Sequence, residues 1–222
     1  IFGHLVLADE INRATPKTQS ALLEAMQEKT VTVGAETYPL PKPFFVLATQ
    51  NPLEHEGTYP LPEAQLDRFL IKIHVTFPEK DELKEIVRRT TSPSPAKADR
   101  AADGETIERI QETAKRVLVA DDVLDYAVRL LLMTHPDEPN APDSVRRYVR
   151  FGAGPRGVQA IVSLAKARAL CEGRLHVSLK DIDRVAVPAL RHRIFLNFEG
   201  QAAGVSTDAI LADVLSALVK NR

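Results

Sequence analysis

The chain has 222 residues, a length that suits one large domain or two of ordinary size. Its 29 basic and 30 acidic side chains nearly cancel, which argues against a whole-molecule attraction to nucleic acid or to an anionic membrane. No apolar run approaches the roughly 20 residues of a membrane-spanning helix. The single cysteine, Cys171, cannot form a disulfide within the chain, which favours a reducing cytoplasm.

The first elements in chain order predict an α/β arrangement. Leu5 to Ala8 is a continuous apolar run too short for a helix, which predicts a strand buried on both faces of a parallel sheet. Further along, the patterns predict a helix at 18–28, a hairpin at 30–38 that turns at Gly34, and two more strands at 44–49 and 71–75.

The second half of the chain is predicted to be mostly helical. Ser92 to Pro95 opens a stretch that can bury little, so a linker is predicted at 91–103. Helical periodicity then covers 105–118, 122–134, 155–171, 179–192 and 208–220. Ser178 with Asp181 predicts a capping box, and Pro155 suits a helical first turn. We therefore divide the chain into an α/β part at 1–90, the linker and an all-α part at 104–222.

Polar side chains follow two of the predicted strands. In open α/β sheets ligands gather at the carboxyl ends of the strands, which places Asp9 and Glu10 where a metal-nucleotide would bind. An aspartate can hold Mg²⁺ directly or through water, and a second carboxylate can polarise the water that attacks a phosphoryl group. Such acids also often cap a following helix. Asn51 could orient a water or contact a phosphate, or it could belong to a simple Asn-Pro turn.

Two arginines have equally open interpretations. Arg68 ends a short helical segment, where the helix dipole favours a cation. Arg156 lies just inside the helix predicted from Pro155, where a solvated surface arginine would be ordinary. Their spacing alone assigns chemistry to neither of them.

The order of these pieces closely resembles the MoxR family of AAA+ ATPases. The resemblance covers most of residues 1–90 and is looser in the helical remainder, which resembles an AAA+ lid. It is carried by LADEINR at 7–13, LLEAMQE at 22–28, LATQNP at 47–52 and EGTYPLPEAQLDRF at 56–69.

The resemblance implies a role for each candidate residue. Asp9 and Glu10 would be the Walker B pair, with Asp9 holding Mg²⁺ through water, and Asn51 would be sensor 1. Arg68 would be the arginine finger and Arg156 would be sensor 2. ATP and Mg²⁺ are the implied cofactors, and the hairpin around Gly34 resembles an insertion that marks this clade.

The sequence departs from the family at one motif. G-x-x-x-x-G-K-S/T, the phosphate-binding loop, occurs nowhere in it; Gly152 and Gly157 have the right separation but are followed by Val158 and Gln159. Since the chain also begins at Ile1 directly before an apolar run, we expect it to be part of a longer protein and poorly active alone. Strands 44–49 and 71–75 would then lack their shared neighbour, so we expect another element or a rearranged pairing to fill that gap.

The resemblance also implies partners and leaves alternatives. Family members usually form hexameric rings and act as chaperones, often with von Willebrand factor A domain proteins. A non-catalytic assembly module derived from the same fold is the main alternative. A DNA-remodelling AAA+ protein is disfavoured by the near-zero charge, and neither a nucleic-acid partner nor a membrane span is expected.

Overall fold

The computed structural model describes residues 1–51, 57–92 and 98–220, and its first part is built around a small parallel sheet. The elements of this part are β1 (Leu5–Ala8), α1 (Pro16–Glu28), β2 (Thr30–Val33), β3 (Glu36–Pro39), β4 (Phe45–Ala48), α2 (Glu63–Leu66) and α3 (Lys80–Thr90). β1 and β4 run parallel with Leu5 beside Phe45, and β2 pairs with β3 as an antiparallel hairpin that turns at Gly34. The strands predicted at 5–8 and 44–49, the first helix and the hairpin are confirmed.

The described residues cover only one face of the β1–β4 sheet. Val46 is buried, and Ala8 and Ala48 pack against buried residues of α1 and the adjoining loops. On the opposite face Leu5 and Leu7 are 73% and 64% exposed. The prediction that β1 is buried on both faces is therefore wrong for the part of the chain that the structure describes, since nothing in that part covers the second face.

Residues 71–75, predicted to be a third strand, form no strand. Val75 is 94% exposed, and within the described ranges β4 pairs with β1 alone. The alternative in which 44–49 and 71–75 pair with each other is thus wrong for these ranges, and filling of the gap by another element stays a prediction. A strand requires a hydrogen-bonding neighbour, and this segment finds one in the helical part instead: Lys72 N–H donates to the Pro188 carbonyl at 2.9 Å.

Helix α3 lies where the sequence patterns predict no element. It has no buried residue, so it lacks a packed apolar stripe. Local interactions stabilise it instead: Glu79 and Glu82 form a capping box, and Glu85 pairs with Arg89 at 2.8 Å. Of the predicted linker, residues 91–92 and 98–103 form neither helix nor strand, and 93–97 lie outside the described residues, as do 52–56 of the motifs quoted above.

The second part packs its helices around one large apolar core. Its elements are α4 (Gly104–Lys115), α5 (Asp121–Leu132), α6 (Asp143–Tyr148), β5 (Val149–Phe151), α7 (Pro155–Cys171), α8 (Leu179–Leu190), β6 (Phe195–Leu196), α9 (Phe198–Ala202) and α10 (Thr207–Lys220). Leu130, Ile161, Leu190 and Leu211 are fully buried at its centre. The five predicted helices and the capping box at Ser178 are confirmed, whereas α6, α9 and the β5–β6 pair are found only in the structure.

Close packing explains the presence of glycine at 152 and 157, the two positions with the glycine separation of a phosphate loop. A Cβ on Gly157 would lie 2.8 Å from Leu131 Cδ1, and a Cβ on Gly152 would lie 2.7 Å from the Thr134 carbonyl. Glycine is therefore required at 152, where a Cβ would meet backbone, and at 157 it leaves room for the ends of the Leu131 and Leu190 side chains. The partial motif match is explained without a phosphate ligand.

Candidate functional site

Asp9 and Thr49 meet at the carboxyl ends of β1 and β4. The Thr49 hydroxyl donates a hydrogen bond to Asp9 Oδ1 at 2.6 Å and accepts one from the Glu10 N–H at 2.8 Å. The Ile11 N–H also donates to the Thr49 carbonyl at 3.0 Å. The Thr49 side chain thus joins the two strand ends. The sequence gives no sign of this role, because the hydrogen-bond partner of a threonine at a strand end cannot be predicted from local pattern.

Glu10 adopts an unusual backbone conformation directly after β1. Its φ and ψ are 48° and 51°, in the left-handed region that costs a non-glycine residue roughly 1–2 kcal/mol. The contacts with Thr49 hold it there. Its carboxylate accepts from Arg13 Nε at 2.8 Å, and both side chains are about half exposed. The carboxylate of Glu10 is therefore accessible at the strand end although it is paired with Arg13.

Asn51 lies beside the loop that follows β1. Asn12 Nδ2 donates to the Asn51 carbonyl at 3.4 Å, and Asn12 Oδ1 is buried without a partner among the described residues. Buried Gln19, on α1, donates to the carbonyls of Ile11 at 3.1 Å and Tyr59 at 2.9 Å. Gln19 thus links the loop after β1 to the segment that leads into α2 through two hydrogen bonds. In the sequence it is only one residue of an amphipathic helix.

Arg68 and Arg156 both lie close to Asp67, the first through the chain and the second through space. Arg68 directly follows Asp67, the last residue of the α2 turn, and its side chain is exposed. Arg156 Nη1, in the first turn of α7, lies 3.8 Å from Asp67 Oδ2. The structure therefore brings these two predicted residues to the junction of the α/β and helical parts, while Asp9, Glu10 and Asn51 lie at the sheet edge.

A buried arginine completes this junction. Arg193, just after α8, is 3% exposed, and its Nε donates to Asp67 Oδ1 at 2.9 Å. Its other N–H groups donate to the carbonyls of Asp67 at 3.0 Å, Phe69 at 2.7 Å and Leu70 at 3.2 Å, and to that of Ala189. All five guanidinium N–H groups are thereby used. Burial lowers the pKa of Arg193, and the ion pair with Asp67 opposes that shift.

Of the two residues before Arg193, His192 contacts the same segment and Arg191 contacts α10. His192 is 4% exposed, and its Nε2 lies 2.9 Å from the Phe69 carbonyl. Arg191 Nη2 pairs with Asp208 of α10 at 2.8 Å. A run of three polar residues at 191–193 suggests a solvated surface, and only the docking of the two parts buries it.

Stability is expected to fall as the pH drops from about 6.5 to about 4 because of His192. Burial, assisted by the nearby charges of Arg193 and Lys72, lowers its pKa from 6.5 to about 4, while Asp67 and the Phe69 carbonyl act in the opposite direction. In this interval the unfolded state takes up the proton first, so unfolding becomes easier by up to about 3 kcal/mol.

Urea unfolding at pH 7, 6 and 5 measures this effect. The matched control is His192→Gln, whose amide can still donate to the Phe69 carbonyl but does not titrate. Its stability should depend less on pH than that of the parent. Equal pH dependence in both proteins would contradict the assignment.

One of two surface clefts adjoins the junction. One of about 170 Å³ lies between α2 and the β5–β6 region, with Asp67, Arg193 and Phe151 in its wall. The other, of about 290 Å³, lies in the helical part. There Arg174 donates to both oxygens of Asp181 at 2.7 Å, which holds the pKa of that carboxyl well below its usual range. Asp181 also caps α8. The charged side chains of the second cleft therefore have a structural role, and no ligand is needed to explain them.

The donor set at the sheet edge fits Mg²⁺ that arrives with a phosphate ligand. Across the described ranges, no three His, Cys, Asp or Glu side chains converge as a metal site. Mg²⁺ is commonly held by one or two carboxylates together with substrate phosphates and waters, so a single accessible aspartate such as Asp9 is sufficient on the protein side.

None of the described helices has both the length and the hydrophobicity that a bilayer-spanning segment needs.

Comparison with known proteins identifies two family models along the chain. The model of the ATPase family associated with various cellular activities (AAA) matches residues 1–71. The model of the AAA lid domain matches residues 143–214. These matches contain Asp9, Glu10, Asn51 and Arg68 in the first and Arg156 in the second.

Individual relatives cover nearly the whole chain. The chaperone MoxR1 of Mycobacterium tuberculosis is 43% identical over 215 residues, which are 97% of this chain and 57% of the relative. Protein MoxR of Methylorubrum extorquens is 32% identical over 92% of this chain and 63% of its own. The crystal structure of a candidate ATPase from Cytophaga hutchinsonii superposes with a TM-score of 0.93 at 40% identity, over 98% of this chain and 66% of that one. The chain thus spans roughly 60% of the length of the relatives that it matches.

Proposed function

Because this chain belongs to the MoxR family of AAA+ ATPases, we propose that the whole protein hydrolyses ATP to remodel or mature partner protein complexes. The observation that carries the proposal is the Thr49–Asp9 hydrogen bond of 2.6 Å, which holds a carboxylate at the joined carboxyl ends of two parallel strands. That edge is where α/β folds bind nucleotides.

The proposed roles divide between the sheet edge and the junction. Asp9 would hold Mg²⁺. Glu10 would polarise the attacking water, and the Asn51 amide would orient that water. Arg156 would contact phosphate, and exposed Arg68 would reach a neighbouring subunit. When bound, Mg-ATP would supply the transferable phosphoryl group, and its metal would neutralise part of the phosphate charge.

Further features of the proposal extend beyond a single chain. We propose a ring of copies, hexameric as is usual in the family, in the cytoplasm, with a von Willebrand factor A domain protein as a candidate partner. The exposed β2–β3 hairpin is a candidate contact for such a partner. The division into an α/β core at 1–90, a linker at 91–103 and a lid at 104–222 belongs to the same proposal. Residues 1–222 by themselves should hydrolyse ATP poorly because the phosphate-loop lysine is not among them.

Phosphate release by the whole protein tests the function. Wild type should hydrolyse ATP in a Mg²⁺-dependent manner, and Asp9→Asn should slow hydrolysis by at least about 100-fold, since the loss of a ligand carboxylate removes several kcal/mol of charge stabilisation. Asp213→Asn, an exposed acid on α10, is the matched control and should be unchanged. A folded, ring-forming wild type without ATP hydrolysis would favour the non-catalytic assembly module instead.

A further inference from the structure

Arg193 connects the helical part to the backbone on both sides of Arg68. Its guanidinium donates to the Asp67 carboxylate and to the carbonyls of Asp67, Phe69 and Leu70, at 2.7–3.2 Å. Arg68 lies between the carbonyls of Asp67 and Phe69. The exposed side chain of Arg68 therefore projects from a backbone that a single buried lid residue holds.

Arg193 is also hydrogen-bonded to the lid itself. The guanidinium is 3% exposed and also donates to the Ala189 carbonyl in the last turn of α8, so it is fixed to the lid as well as to the segment. His192, through the Phe69 carbonyl at 2.9 Å, adds a second lid contact to the same segment. A displacement of α8 is therefore expected to displace residues 67–70.

Asp67 also receives the second candidate arginine. Its Oδ1 accepts from Arg193, while its Oδ2 lies 3.8 Å from Arg156 Nη1. One carboxylate thus faces the arginine proposed to contact phosphate and the arginine that holds the Arg68 backbone. This shared partner gives the lid a direct electrostatic contact with the segment that carries Arg68.

We infer that Arg193 is a positioning residue for Arg68: through Asp67 and the 67–70 carbonyls, the lid of one subunit sets where its arginine reaches the ATP site of the next subunit. This inference rests on the proposed function, in which Arg68 acts in trans. Arginine is required at 193 because a planar fork of five donors spans several acceptors, which a lysine ammonium with three donors on one nitrogen does not.

An Arg193 variant is expected to slow ATP hydrolysis at the site of the neighbouring subunit rather than at its own site. In the whole protein, Arg193→Lys should lower kcat by about 10- to 100-fold, since a misplacement of about 1 Å can cost 10²-fold, with ATP affinity retained. Asp67→Asn is the milder second variant, because it keeps the contacts of Arg193 with three carbonyls of the 67–70 segment. Arg191→Lys is the matched control, since Arg191 pairs with Asp208 and has no contact with residues 67–70 among the described ones.

Mixed rings separate positioning from a purely structural role. Arg193→Lys mixed with Glu10→Gln should recover activity, because an intact Glu10 site then faces an intact Arg68 and Arg193. Arg193→Lys mixed with Arg68→Ala should not recover, since neither supplies a well-placed arginine. Recovery with Glu10→Gln is a readout that loss of lid stability alone would not produce.

Each remaining outcome overturns the inference in a recognisable way. If Arg68→Ala recovers with Glu10→Gln but Arg193→Lys and Asp67→Asn do not, Arg193 serves only its own subunit and the trans role of Arg68 still holds. If Arg68→Ala fails as well although mixed rings form, the proposed trans function is wrong and the inference falls with it. If neither Arg193→Lys nor Asp67→Asn enters mixed rings, the role of Arg193 is structural.

Discussion

In the whole protein, Glu10→Gln is expected to leave ATP binding nearly intact and to slow hydrolysis by about 10²- to 10⁴-fold. Glutamine keeps the shape of the side chain but lacks the negative charge that polarises the attacking water. Folding should tolerate the change, because the Glu10–Arg13 pair is about half exposed and such pairs contribute at most about 1 kcal/mol.

Nucleotide affinity and phosphate release measured side by side test this prediction. Glu24→Gln is the matched control, since Glu24 is an exposed glutamate on neighbouring α1 and should behave as wild type. If Glu10→Gln turns over at the wild-type rate, Glu10 does not activate the water. If it instead loses ATP affinity with unchanged kcat, Glu10 contributes to binding rather than to the chemical step.

Arg68→Ala is expected to have the larger effect, a loss of about 10³- to 10⁵-fold in hydrolysis, because an arginine supplied in trans stabilises the charge of the transition state. Its side chain is exposed, so its removal should not unfold the chain. The loss should be partly repaired when Arg68→Ala is mixed with Glu10→Gln, since some interfaces of the mixed ring then contain both intact residues.

The measurement is ATP hydrolysis against mixing ratio, with subunit exchange verified separately. Arg88→Ala, an exposed arginine on α3, is the control for the loss of a surface cation and should remain active in homogeneous rings. Verified mixed rings without any recovery would mean that Arg68 acts on ATP bound to its own subunit or does not act on ATP.

Local chemistry explains why much of the fold could be predicted. The apolar run at Leu5–Ala8, the turn at Gly34, Pro155 in a first turn and the capping box at Ser178 each act within a few residues, and the structure contains all four features. The family was likewise predictable, because its motifs are contiguous strings that survive in this sequence.

The errors arose where an element depends on a partner distant in the chain. Residues 71–75 have a strand-like composition, but no described strand pairs with them. The Lys72 N–H donates a hydrogen bond to the Pro188 carbonyl instead. The short strands β5 and β6 need each other and are separated by the whole of α7 and α8. Neither outcome is encoded by local periodicity.

The sequence by itself determined the helices and strands that local patterns define, and it supplied the candidate residues Asp9, Glu10, Asn51, Arg68 and Arg156. Only the tertiary structure decided how these residues are held. The Thr49–Asp9 bond joins two strand ends 40 residues apart, and the Arg193–Asp67 pair joins residues 126 apart. The local pattern of a hydroxyl or a guanidinium is the same whether it faces water or a buried acceptor. The partners of Thr49 therefore became defined only when β1 paired with β4, and those of His192 and Arg193 only when the α/β and helical parts docked.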